Sequence, residues 1–499
     1  MTVALLPSRR AAALFAAVAL LVSLPSLLFG PAATHSYLYN YIWGSQFGEA
    51  MASGNLYPRW LPDSFEGLGS PAFYFYPPLA YWLSGALNAL GLPIFKAVDV
   101  AGMILLFLSG VTMHSWLAAR GTRPVVGALI YMIAPYHLFD LTVRGALAEF
   151  CAYVMLPLVA LGVQRLPDRR GVILLALAYG GMLLSHLPTA LLTGVFLIAP
   201  MLLHKTLKRP TVIPAGATAG LLAFALAAFY LLPALTLQDH ISTNLLWADS
   251  YHASHWSIWN LNFHMFGFLC IALILLAWPA RSFWSILAVV TALASIRLIP
   301  FIWDIQLLDR VQFPWRLFMI AEFATITAMV SYQPWRKAWT LGAGMILLPY
   351  VMVATASHQL LGEGFDPVIV ARIMPDAPEY LPHDFDERLI TPTRWTDVSR
   401  WRTLPRGDTI RVDKAGTVTT GRMAFPIWRV TKDGAPIAST GPLIRFNAQP
   451  GIYRIERVRL WQERVGDLIS IGAIVLLALG MIRMKKAGAL RTRTELAAC

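Results

Sequence analysis

The sequence predicts an α-helical protein that crosses a membrane about twelve times. Both termini lie in the cytoplasm, and a small β-rich unit sits on the opposite face. Three observations carry this reading. The 499 residues are 57% hydrophobic and 13% charged, about half the charged share of a soluble protein. The apolar residues gather in runs long enough, at about 20 residues as helix, to cross the hydrocarbon core. The basic residues are divided unequally between the two sides of those runs. Together these exclude a disordered chain and an ordinary cytosolic globule.

The first span is 11–30, preceded by Arg9 and Arg10. It is longer than the core of a signal peptide, roughly 7–15 residues, and reads as an uncleaved anchor. The next apolar stretch, Tyr74 to Leu90, is aromatic and interrupted by Pro77-Pro78, and reads as a helix lying in the interface. Spans then follow at 95–118, 124–139, 149–165, 171–185, 187–204, 211–235, 263–280, 282–299, 317–332, 338–356 and 466–483. With this assignment 18 of the 40 Lys and Arg face the cytoplasm, against six in the outer segments before residue 357. Making 74–90 a span would invert every later loop and abolish the bias. The net charge of +13 is therefore a topology signal toward anionic inner-leaflet lipids, not a nucleic-acid footprint.

The chain divides into a transmembrane domain (1–356, with an outer loop at 31–94), an outer β-rich domain (357–464), and a last span with a basic tail (465–499). The β-rich reading rests on short runs such as Thr409-Ile410-Arg411-Val412 and Tyr453-Arg454-Ile455. The turn signals Lys432-Asp433-Gly434 and Gln449-Pro450-Gly451 separate them. Cys151, Cys270 and Cys499 have no metal or disulfide spacing and read as ordinary small residues.

Loop 31–94 begins Thr34-His35-Ser36-Tyr37, enters a helix that runs to about Gly54, and continues through Leu56-Tyr57-Pro58-Arg59-Trp60 and Gly67-Leu68-Gly69-Ser70-Pro71. Its aromatic residues suit headgroup depth, and its prolines and glycines fix a shape. Asp140 and Arg144 are spaced for an i,i+4 pair in the short loop between the third and fourth spans. Glu149 opens a span, where an ionisable group needs a task or a partner. Glu322, inside a span, calls for an inter-helix hydrogen bond. His252 and His255 have i,i+3 spacing that could hold a metal on a helix, but nothing fixes further ligands.

Two interfacial helices after the first span, in a multi-spanning chain with an outer tail domain, resemble the GT-C superfamily of glycosyltransferases. The Leu-Tyr-Pro-Arg-Trp and Gly-x-Gly-Ser-Pro elements are similar to a bacterial branch labelled the "6-pyruvoyl-tetrahydropterin synthase related" membrane family. So are Pro135-Tyr136-His137-Leu138, Arg144-Gly145-Ala146 with Glu149, Ser185-His186-Leu187-Pro188 and Phe313-Pro314-Trp315-Arg316. The resemblance implies a multi-pass protein of the bacterial inner membrane whose active face is periplasmic. It implies transfer of a sugar from a polyprenyl-phosphate donor to a lipid-linked or surface glycan acceptor. Such chemistry needs a base near the acceptor and positive charge at the phosphate. Asp63, Glu149, Asp140 and Glu66 are the catalytic candidates. Arg59, Arg144 and Arg316 are candidates for the phosphate, with Arg310 weaker, and His35, His186, Tyr57 and Trp60 for the substrate. No cofactor is implied, and a divalent metal is left open. The chain departs from the pattern at Ser36, where the superfamily usually has an acid after the first span. A flippase or transporter, and a non-catalytic binder of lipid-linked glycans, are the competing readings.

Overall fold

The computed structural model describes residues 6–30, 34–247, 251–256, 264–332, 376–383, 385 and 404–497. The span expected at 338–356 lies outside the described residues, as do much of 357–403 and Cys499. Helix α1 (Arg9–Phe29) is followed by α2 (Tyr37–Ala52). The stretch expected to lie in the interface then folds as a short turn, Ala72–Phe75, and a helix, α3 (Leu79–Ala89). Pro77-Pro78 separates the two because neither proline can extend the preceding helix.

Among the described residues six helices are long and apolar enough to cross a membrane: Arg9–Leu28, α4 (Ile94–Ala119), α5 (Pro124–Arg144), α6 (Leu147–Arg165), α8 (Leu187–Thr206) and α14 (Trp461–Met484, continuing to Ala497). Helix α7 (Arg169–Ser185) precedes α8. The shorter apolar helices α11 (Phe266–Ala280) and α12 (Phe283–Ser295) precede α13 (Phe318–Ser331). Helices α6 and α7 pack closely: a Cβ on Gly162 would meet the Leu175 backbone nitrogen at 2.7 Å.

Two sequence expectations are corrected here. The span expected at 211–235 is two helices, α9 (Val212–Leu226) and α10 (Ala228–Thr236), bent by 75°. The break contains neither proline nor glycine. Its freed backbone groups find distant partners instead, as apolar surroundings require. The Phe229 N–H donates to Ser470 Oγ (2.9 Å), whose own hydroxyl donates to the Ala225 carbonyl (3.0 Å). The Phe229 carbonyl accepts from Arg59 Nη1 (2.9 Å). The second correction concerns 140–144, expected as a loop: it is helical and completes α5.

Six strands fall between Thr409 and Arg457: β1 (Thr409–Val412), β2 (Gly416–Met423), β3 (Trp428–Lys432), β4 (Ala435–Ile437), β5 (Leu443–Ala448) and β6 (Gly451–Arg457). They form an antiparallel sheet ordered β1-β6-β3-β4 and a β2-β5 ribbon. Alternation on β5 buries Ile444, Phe446 and Ala448, which pack with Val430, Tyr453 and Ile455. The β3–β4 hairpin turns through Asp433 (φ 51°) and Gly434 (φ 79°), the paired positive values of a tight hairpin. The strands are tied to the loop after α2: Met423 N–H donates to the Leu68 carbonyl (2.8 Å) and Trp60 meets the Trp428 ring edge-on at 5.2 Å.

Candidate functional site

The site is built around the end of α5. Pro135 restarts the helix after Ala134, and the turn Asp140–Arg144 is wound one residue wider than an α-turn. Such π-turns often mark functional positions. Glu322 of α13 fixes the restart: its two oxygens accept the Tyr136 N–H (2.6 Å) and the His137 N–H (3.2 Å). A carboxylate there meets the positive end of the helix dipole, and it is the inter-helix bond expected of this residue. The turn ends at Gly145, which has φ +60°, and a Cβ there would collide with the Thr34 side chain.

That close approach joins α2 to the turn. His35 N–H donates to the Val143 carbonyl and Ser36 N–H to the Arg144 carbonyl, each at 3.0 Å. Asn40 Nδ2 donates to the Gly145 carbonyl at 2.7 Å. Ser36, where the sequence resemblance leads one to expect an acid, is thus bonded through its backbone to Arg144.

Arg144 Nη1 faces three oxygens: Asp140 Oδ1 at 2.6 Å, Glu149 Oε2 at 2.8 Å and Tyr136 Oη at 2.9 Å. The i,i+4 pair read from the sequence is thus formed, within a wider network. Arg316, carried by the turn Pro314–Leu317, donates from Nε to the same Glu149 Oε2 at 3.0 Å and from Nη1 to the Val311 carbonyl. The other carboxylate oxygen of Glu149 accepts the Tyr136 hydroxyl at 2.9 Å. Both guanidinium groups lie near the Phe313 ring, at 5.9 Å for Arg144 and 4.9 Å for Arg316. All four charged side chains are buried. Nε and Nη2 of Arg144 and Nη2 of Arg316 have no hydrogen-bond partner among the described residues.

The cluster's field reaches its neighbours. Burial, with Arg316 and Arg144 nearby, holds His186 at about 3, so it is neutral at pH 7. Its Nδ1 lies 2.7 Å from Thr189 Oγ1. Burial and then Arg144 also lower His35. Burial pushes Tyr76 up to about 12, and its hydroxyl feels Arg316 and Arg144 on one hand and Glu149 and Glu379 on the other.

The motifs around this cluster fall in a segment that a family model matches over residues 73–360, that of the 6-pyruvoyl-tetrahydropterin synthase related domain, described as a membrane protein. The chain belongs to this family. The matched part covers more than half of the chain and contains Arg144, Glu149, His186, Arg316 and Glu322. Among solved structures, the chain is similar to the arabinofuranosyltransferase AftD from Mycobacteria at 19% identity and a TM-score of 0.46, covering 71% of this chain and 27% of that one. A mutant of the same enzyme gives 18% identity and a TM-score of 0.44, covering 71% and 28%. The chain thus spans about a quarter of the length of those proteins. No curated protein matches it.

Of the residues proposed from the sequence, the fold brings His35, Asp140, Arg144, Glu149, His186 and Arg316 to this one region. The others sit elsewhere. Arg59 pairs with Glu463 (3.5 Å) and Asp467 (3.6 Å) of α14, over the Tyr57 ring at 4.4 Å. Tyr57 donates its hydroxyl to the Phe73 carbonyl at 2.8 Å, and Trp60 packs on the β-rich unit. Asp63 is exposed, its N–H held by Gln46 Oε1 at 2.8 Å. Glu66 has a positive φ of 58°. His252 is not on an α-helix as expected: it precedes a 3-10 turn (Ala253–His255), and its Nδ1 lies 2.5 Å from Asp309 Oδ2. Among the described residues no three His, Cys, Asp or Glu are grouped to hold a metal.

One residue of the site escaped the sequence reading: Tyr136, which contacts both Glu149 and Arg144. Tyr136 stood within a quoted motif, and its pairing with Glu149 follows from their spacing across the turn.

Proposed function

We propose that this protein is a membrane glycosyltransferase. It takes a sugar from a polyprenyl-phosphate donor and passes it to a lipid-linked or surface glycan on the periplasmic face of a bacterial inner membrane. One observation carries this reading: two buried arginines converge on one carboxylate, while part of each guanidinium edge has no hydrogen-bond partner among the described residues. Arginine's planar fork suits phosphate oxygens. In a site shielded from water, fixed positive charge stabilises the leaving phosphate far more than it could in solvent. Glu149 aims both guanidiniums and keeps the empty site near electrical balance. The neutral His186 supplies a hydrogen-bonding group beside them.

In this account about twelve spans, with both termini inside, carry the site at the periplasmic ends of the helices. Arg59 holds the bent helix and α14 in register and does not contact the donor. The test uses the purified chain in lipid discs, a panel of polyprenyl-phosphate sugars and an extract of lipid-linked glycans, with products read by mass spectrometry. Transfer by the wild type and its loss in Arg144→Ala, with an unchanged oligomeric profile, is the expected result. Undiminished transfer by Arg144→Ala would remove the phosphate role. Arginine-dependent binding without any product would favour the non-catalytic alternative.

A further inference from the structure

One side of α14 is pinned to the bend between α9 and α10. A Cβ on Gly466 would meet the Ala228 carbonyl oxygen at 2.6 Å, and Ser470 Oγ accepts the Phe229 N–H at 2.9 Å. Beside this junction lies a groove of about 500 Å³, lined by Phe229 on one side and by Arg459, Arg464, Leu468, Ile471 and Ile474 on the other. The Phe229 wall is fixed: its ring stacks on Trp82 (6.0 Å, 29°) and meets Tyr57 edge-on at 5.5 Å.

One end of the groove is charged. Asp467, which also lines it, pairs with Arg459 and with Arg59 Nη2 (3.6 Å). Glu463 takes Arg59 Nε (3.5 Å) and Arg457 Nη2 (3.3 Å). Arg464 is exposed, and its guanidinium makes no hydrogen bond or ion pair among the described residues. Four arginines therefore share two carboxylates, and the excess charge is positive. Both carboxylates are already held by arginines, so neither opposes an incoming anion with its full charge.

The rest of the groove is apolar. Helical spacing puts Leu468 and Ile471 on the face of α14 that carries Arg464, and Ile474 follows one turn later. These three are 69%, 58% and 56% exposed, on a helix long and apolar enough to cross a membrane. From Arg464 to Ile474 the helix rises roughly 15 Å, half of a hydrocarbon core of about 30 Å. A free cation thus heads an apolar trough one leaflet deep. An arginine that only snorkels to the surface needs no such trough and no opposite wall.

We propose that this groove holds one anionic membrane phospholipid. Its phosphate sits on Arg464, whose planar fork can grip two phosphate oxygens, with Arg459 beside it. One acyl chain lies between Phe229 and the Leu468–Ile471–Ile474 stripe. The lipid braces the bend from the bilayer side, while Arg59 and Ser470 hold it from within the protein. The groove shares no residue with the Arg144–Arg316 pair.

The experiment uses the full chain, stripped of lipid in detergent. Phosphatidylglycerol or phosphatidylcholine is added back, and bound lipids are counted by native mass spectrometry. The wild type is expected to retain one phosphatidylglycerol in preference to phosphatidylcholine. Arg464→Gln should weaken phosphatidylglycerol by at least about 5-fold, the effect of one interfacial charge, and leave phosphatidylcholine unchanged. Ile471→Trp, a change at an exposed position that fills the trough, should weaken both. Phosphatidylglycerol should raise the thermal midpoint of the wild type more than that of either variant. Equal retention of the two lipids by the wild type, or wild-type phosphatidylglycerol binding by Arg464→Gln, would overturn the proposal. So would displacement of phosphatidylglycerol by equimolar undecaprenyl phosphate in an Arg464-dependent way, which would make the occupant a prenyl lipid. A dimer crosslinked through Ile474→Cys, with no lipid retained, would assign the groove to a second copy of the chain and overturn it too.

Discussion

Replacing Glu149 by glutamine keeps the side chain's shape and removes its charge. In the native fold one oxygen of that carboxylate accepts from Arg144 Nη1 (2.8 Å) and Arg316 Nε (3.0 Å), and the other accepts the Tyr136 hydroxyl (2.9 Å). Charge-assisted hydrogen bonds contribute about 1.5–3 kcal/mol each, but they share one carboxylate and cannot be added. The better guide is the cost of breaking a buried pair, about 3–5 kcal/mol. The variant leaves two buried guanidiniums with Asp140 as the remaining carboxylate in direct contact. It should therefore shift the unfolding equilibrium by about 100- to 4,000-fold. The assay is thermal unfolding in identical lipid discs, followed by tryptophan fluorescence. A double-mutant cycle with Arg316→Met separates charge from packing. Removing one guanidinium along with the carboxylate charge should recover part of the lost midpoint, so the double variant should melt above Glu149→Gln. A wild-type midpoint for Glu149→Gln would refute the argument, as would a double variant less stable than the sum of its singles.

Two further predictions follow from the fold and its orientation. Gly145→Ala forces a left-handed φ on a residue with a Cβ, at about 1–2 kcal/mol, and drives that Cβ into Thr34. The thermal midpoint should fall, and Gly145→Ala with Thr34→Gly should regain part of it; an unshifted midpoint would show that the α2–turn junction is not tight. For topology, in a background without native cysteines, Asp413→Cys on the β-rich unit should react with an impermeant thiol reagent added outside intact cells, and Asp168→Cys between α6 and α7 should not. The opposite pattern would invert the proposed orientation.

The helical architecture was legible because a membrane chain must bury its backbone in long apolar helices, and such runs stand out locally. The strands were legible for a similar reason: alternation on β5 and the Asp433-Gly434 turn are short-range signals. The break at Ala227 was not legible. It depends on Ser470 and Arg59, which satisfy Ala225 and Phe229 from the first turns of α14 and from loop 31–94. The arginine turn was half legible. Four-residue spacing predicted the Asp140–Arg144 pair, but Glu149's hold on Arg316 crosses 167 residues. Arg59, Tyr57 and Trp60 carry the aromatic and basic character of a substrate loop, yet the fold uses them to hold α10, α14 and the sheet. The tail turn Pro378–Tyr380 left no trace in local pattern, because what holds it is the packing of Tyr380 on Phe75 and Trp43.

The central claim is that the open edges of Arg144 and Arg316 receive the donor's phosphate. The most direct measurement is a cryo-EM map of the chain in lipid discs with undecaprenyl phosphate. The account predicts density for the phosphate against both guanidiniums, beside Phe313 and His186, with the prenyl chain leading away to the bilayer, and its loss in Arg144→Ala. A phosphate density held at Arg59, Arg459 or Arg464 instead, with the Arg144–Arg316 site filled by neither lipid nor sugar, would contradict it.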